Sequence, residues 1–192
     1  MFHVTKVNVF LIAVFTLFLS LSLCAGADAA TISMSKKSLV LKAGESKTLK
    51  VKGTKKKATW SSSNSKVAKV SKKGKVTAKK SGTSRIYAKV SGKKLTCKVT
   101  VINLNKKSLN LEDGKSETLK VSGTKKKVTW SSSDSKVASV SKKGKVTGKK
   151  EGTAKIYAKV SGKKLTCKVT VKKAADIDPT PAPTPEVTPL ST

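Results

Sequence analysis

Lysine is the residue whose abundance and spacing suggest chemistry here, and that chemistry is anion binding. Lys55-Lys56-Lys57, Lys72-Lys73-Gly74-Lys75, Lys79-Lys80 and Lys93-Lys94 form clusters, and each returns 70 residues later. Lys125-Lys126-Lys127 and Lys142-Lys143-Gly144-Lys145 are the copies of the first two. Net charge is +32, from 42 Lys+Arg against 10 Asp+Glu. A field of that size selects polyanionic partners and says little about fold. Tyr87 lies between Arg85 and Lys89, and Tyr157 between Lys155 and Lys159. An aromatic ring among cations suits an acidic glycan or an exposed base. The candidate polyanion-binding residues are therefore Lys55, Lys56, Lys57, Lys72, Lys73, Lys75 and Tyr87, with Lys125, Lys126, Lys127, Lys142, Lys143, Lys145 and Tyr157. Plainer readings stay open: a charge run is usually a solvated face, and Tyr favours strands wherever it sits.

Catalytic chemistry finds little support. The single His is His3, and the carboxylates are dispersed or concentrated near the C-terminus. No triad, metal cluster or acid/base pair can be assembled from them. No catalytic residue, metal or cofactor is expected, and the chain does not read as an enzyme. Glu112, Asp113 and Glu117 form the densest acidic spot, but Lys42, Ala43 and Lys47 occupy the same places in the earlier copy. A repeated calcium site is thereby excluded.

Cys97 and Cys167 occur once per copy and stand 70 positions apart, as do Trp60 and Trp130. Equivalent cysteines of adjacent modules lie about one module length apart, beyond the ~7 Å Cα limit for a disulfide. Both are expected as buried thiols acting as small hydrophobes, with a bridge between chains as the alternative. Trp60 and Trp130 each alternate in phase with an apolar neighbour, Ala58 or Val128. They are expected as core residues between sheets, with exposed rings stacking on sugars as the other reading.

These residues sit in a duplication. Residues 32–101 align with 102–171 without a gap, and about 54 of the 70 positions are identical. Each unit is small enough to be marginal on its own. Within it, Leu39 and Leu41, Leu49 and Val51, Ile86, Ala88 and Val90, and Leu95, Cys97, Val99 and Val101 recur at period two. Gly44, the Ser61–Ser65 stretch, Gly74 and Ser91-Gly92 supply turns. Short alternating runs rich in Val, Thr and Ile indicate an all-β sandwich. At the join, Val99-Thr100-Val101 runs into Ile102-Asn103-Leu104 with no Gly, Pro or Ser spacer. The last strand of one module is expected to become the first of the next, giving a stiff rod whose modules support each other.

The flanks differ. Residues 1–30 read as a secretory signal: Lys6, an apolar run from Val9 to Leu23, and small residues at Ala25-Gly26-Ala27 and Ala27-Asp28-Ala29. The run is short for a membrane span, so cleavage is expected over retention as an anchor. Leu23 before Cys24 argues against a lipoprotein site. Residues 172–192 hold all five Pro, among Thr, and are expected as a disordered, extended spacer.

The pattern S-L-x-L, T-L-K-V, T-W-S-S-S, K-V-A-x-V, G-K-V-T, G-T, I-x-A-K and C-K-V-T-V resembles the group-2 bacterial immunoglobulin-like domain. It is carried from Ser38–Leu41 to Cys97–Val101 and again from Ser108–Leu111 to Cys167–Val171. The resemblance implies two tandem Ig-like β-sandwich modules, at residues 31–101 and 102–171, of an exported bacterial protein. It implies stalk, spacer or adhesion roles and supplies no shared active site. The expected function is a non-catalytic, secreted surface or wall-associated module, with anionic cell-wall polymer or an acidic glycan as partner. Nucleic acid is a less favoured partner, no membrane span is expected after signal cleavage, and the chain is expected to be a monomer. The alternatives are a general polyanion binder and a passive spacer from a larger secreted enzyme.

Overall fold

Period-two alternation decides which side chains face inward. In the strand Gly82–Val90, Ser84, Ile86, Ala88 and Val90 are buried while Arg85 and Lys89 are exposed. The computed structural model describes residues 31–173, and every described element is a strand. The expected signal, residues 1–30, lies outside the described residues, as does the expected disordered tail, residues 172–192, apart from Lys172, which ends a strand, and Lys173.

The first module comprises β1 (Ser33–Met34), β2 (Ser38–Lys42), β3 (Ser46–Thr48), β4 (Val51–Lys52), β5 (Thr59–Ser62), β6 (Ala68–Val70), β7 (Lys75–Ala78), β8 (Gly82–Val90) and most of β9 (Lys93–Leu104). Its larger sheet runs β2-β9-β8-β5, with β2 and β9 parallel and the other pairs antiparallel. The facing sheet runs β3-β7-β6. β8 and β9 join through the two-residue turn Ser91-Gly92, both at positive φ (48° and 72°). That is the turn whose twist matches a right-handed strand pair.

The second module repeats this with β10 (Ser108–Glu112), β11 (Ser116–Thr118), β12 (Val121–Ser122), β13 (Thr129–Ser132), β14 (Ala138–Val140), β15 (Lys145–Gly148), β16 (Gly152–Val160) and β17 (Lys163–Lys172). Its sheets run β10-β17-β16-β13 and β11-β15-β14. β17 continues one residue past Val171.

Two cores result, and β9 feeds both. Cys97, Val99 and Val101 belong to the first, with Leu41, Leu49, Val76 and Ile86. Ile102 and Leu104 belong to the second, with Leu119, Ile156 and Val169. The odd-numbered face of the strand packs on one module and the even-numbered face on the next. β12 pairs with the end of β9, Val121 opposite Leu104, just as β4 pairs with β1 through Met34 and Val51. The end of β9 thus plays in the second module the part of β1 in the first. Val40 of β2 packs against the second core. At the same junction a Cβ on Gly123 would stand 1.9 Å from the Val101 carbonyl oxygen. Only glycine permits that approach.

Candidate polyanion-binding groove

The lysine turns are held by short side-chain-to-backbone bonds. The Lys56 amide donates to Thr54 Oγ1 at 3.1 Å, as Lys126 does to Thr124 Oγ1 at 3.1 Å. Ser71 Oγ accepts from the Lys73 and Lys75 amides at 3.3 and 3.2 Å, and Ser141 Oγ does the same for Lys143 and Lys145 at 3.3 and 3.1 Å. Serine and threonine hydroxyls favour such turns. The Leu49 amide donates to the Gly74 carbonyl at 2.9 Å, which ties the Lys72-Lys73 turn to the chain between β3 and β4.

Between these turns lies a groove of about 830 Å³. Its floor and walls are Leu49, Val51, Ala58, Thr59 and Trp60, and its rim carries Lys50, Lys56, Lys57, Lys72 and Lys73. All five rim lysines are exposed. Trp60 and Trp130, expected as core residues between the sheets, do pack against their cores but are half-buried rather than fully enclosed. Each packs against its core cluster from an edge strand, β5 or β13. Gly74 lies on the indole: a Cβ there would be 2.8 Å from Trp60 Cζ2, and one on Gly144 would be 2.9 Å from Trp130 Cζ2.

The structure thus gathers Lys56, Lys57, Lys72 and Lys73 around Trp60 and adds Lys50, which sequence reasoning passed over. Its repetition at Lys120, between Leu119 and Val121, was the available signal. Lys55 is exposed on the same loop but does not line the groove. Lys75 belongs instead to a shallower recess with Ser46, Lys47 and Thr48. In the second module, Lys125 and Lys126 line a cleft of about 770 Å³ at the junction, with Lys98, Thr100 and Gly123. Lys127, Lys142, Lys143 and Lys145 are exposed, as are their copies in the first module. Tyr87 and Tyr157 lie on the outer face of the larger sheets, away from the Trp60 groove. Lys94 Nζ sits 4.1 Å above the Tyr87 ring and Lys164 Nζ 4.6 Å above that of Tyr157. Each ammonium thus occupies one face of its ring.

Cys97 and Cys167 are fully buried free thiols, and burial raises both above the ordinary thiol range. Among the described residues no group of three His, Cys, Asp or Glu side chains could hold a metal, and no helix is long and apolar enough to cross a membrane. The groove offers cations, one indole and apolar wall, which is binding chemistry.

Two sandwiches, each with an early strand parallel to its last strand, and joined by a shared strand, define a tandem immunoglobulin-like protein. The profile of the bacterial Ig-like domain (group 2) matches residues 28–99 and 98–175, and the chain belongs to that family. The two matches overlap on β9. Comparison with curated proteins finds no match. Among solved structures, the chain is similar to surface layer protein SbsC, domains 1–6, at 26% identity, covering 62% of this chain and 20% of that one, with a TM-score of 0.35. It is similar to domains 4 and 5 of the same protein at 24% identity, covering 60% and 76%, with a TM-score of 0.34. It is also similar to a C-terminal 282-residue fragment of intimin, solved with the intimin-binding domain of its translocated receptor, at 23% identity, covering 73% and 62%, with a TM-score of 0.42.

Proposed function

We propose that this chain is a non-catalytic rod of a bacterial surface, held to anionic wall polymer by its lysine-rimmed faces. The observation that carries the reading is β9, which enters both cores without a break. It sets two copies of the same lysine turns at a fixed spacing. Two weak sites on one rigid body gain avidity on a polymer, because the second contact forms at high effective concentration. Family membership and the secretory character of residues 1–30 support a surface location.

The test is co-sedimentation of the protein with isolated cell walls, intact or stripped of their anionic polymers, at about 50 and 200 mM salt, a range over which contacts to a polyanion weaken steeply. Binding that disappears on stripping supports retention on the anionic polymer. Absence of binding at the lower salt overturns the reading and leaves the rod as a spacer.

A further inference from the structure

The geometry points to the Trp60 groove as a subsite for a pyranose ring bearing a carboxylate, so that the polymer recognised is an anionic polysaccharide rather than any polyanion. This rests on the proposed retention on anionic polymer and narrows it to one site and one chemistry. A purely electrostatic surface needs only exposed lysines. Here five of them surround a concave apolar surface that ends in an indole. An aromatic face buries the C–H side of a sugar ring, and the surrounding ammonium groups meet its carboxylate. Its volume, about 830 Å³, is that of an open cleft large enough for a small ligand.

Trp60 packs against the first core from the edge strand β5, stays half-buried and also lines the groove. Gly74 brings the Lys72-Lys73 turn down onto the indole, where any side chain would collide. Single-stranded nucleic acid sites stack successive bases on several aromatics. This groove contains one, and Tyr87 lies on the opposite face of the sheet with Lys94 over its ring. One ring flanked by cations fits one sugar of a charged chain.

The two modules differ at one apolar wall position: Ala58 lines the first groove and Val128 stands at the matching place in the second. Valine is native to this fold there, so Ala58→Val narrows the first groove without an unfamiliar demand on folding.

The experiment titrates the whole protein with oligogalacturonate, a neutral glucan oligomer, polyphosphate of matched charge and oligothymidylate, following tryptophan emission and heat. Oligogalacturonate is expected to bind about tenfold tighter than polyphosphate and to perturb tryptophan emission, with no binding of the neutral oligomer. Ala58→Val and the exposed pair Lys72→Gln/Lys73→Gln should each weaken uronate binding several-fold at unchanged melting temperature, and Ala58→Val should leave polyphosphate binding untouched. Equal affinity for uronate and polyphosphate with unchanged emission overturns the groove and leaves the electrostatic reading standing. Tighter binding of oligothymidylate overturns the sugar assignment. No binding of any anion overturns both.

Discussion

A half-buried tryptophan adds less to a core than a fully enclosed one. Trp60 packs on the first core but is not fully buried, so its truncation should cost less than the ~3–5 kcal/mol of a fully buried ring. Trp60→Ala is expected to destabilise the first module by about 2 kcal/mol, read as a lowered urea midpoint. An unchanged midpoint would assign the ring to the groove alone. The thiols behave differently. Cys97 and Cys167 are fully buried, with pKa values raised mainly by desolvation. Native protein at about pH 8 should react slowly with a thiol reagent and quickly once unfolded. The sign of the linkage follows. A raised native pKa gives stability that is full below the unfolded thiol value, about 8.5, and is lost as pH rises through the native one. Cys97→Ala should flatten that alkaline decline. Alternation made inward and outward positions readable at this scale: Cys97, Val99 and Ile86 follow from period two. The half-burial of Trp60 did not, because whether a strand is at an edge depends on pairings between distant residues.

Among the elements, β9 has the most to say. Its odd face belongs to the first core and its even face to the second, so neighbouring substitutions should damage different modules. Ile102→Ala is expected to cost the second module about 2–4 kcal/mol and the first far less. Val101→Ala should do the reverse, at a smaller magnitude. Hydrogen exchange resolved by module would show it, and equal loss of protection in both modules would mean that the cores unfold as one unit. The missing spacer between Val101 and Ile102 made the shared strand visible in sequence. The parallel pairing of β2 with β9 was not visible, since nothing in Ser38–Lys42 says which distant strand it meets.

At the scale of the whole molecule, the modules also hold each other through Glu45 and Lys163. Lys163 Nζ donates to Glu45 Oε1 at 2.6 Å, and the Lys42 amide donates to Oε2 at 3.0 Å. Partial burial works against the Glu45 carboxylate. The bonds from Lys163 and the Lys42 amide, with the charges of both lysines, outweigh it and hold the pKa below the ordinary value. The contribution is therefore present above the unfolded value of about 4.3 and lost as pH falls through the lower native one. For a partly exposed pair it is worth about 1 kcal/mol or less. Glu45→Gln should lower the melting temperature slightly at neutral pH and flatten its acid dependence. An unchanged slope would make the contact incidental. This pair could not be read from the repeat, because the equivalent of Glu45 is Lys115.

The parallel ladders also fix how the rod carries load. β2 lies beside β9 over five rungs, Ser38–Lys98 to Lys42–Ile102, and β10 lies beside β17 over five more, Ser108–Lys168 to Glu112–Lys172. In each module these are an early strand and the last strand. Tension applied at the two ends draws them in opposite directions along their own axes. The rungs are then strained together instead of opening one after another, as they would in a hairpin pulled apart at its mouth. Because β9 passes from one ladder to the next without a linker, tension has no slack segment to extend between the modules. A bacterium that tethered something with this rod would hold it on a stiff line whose yield point is set by hydrogen bonds breaking in concert.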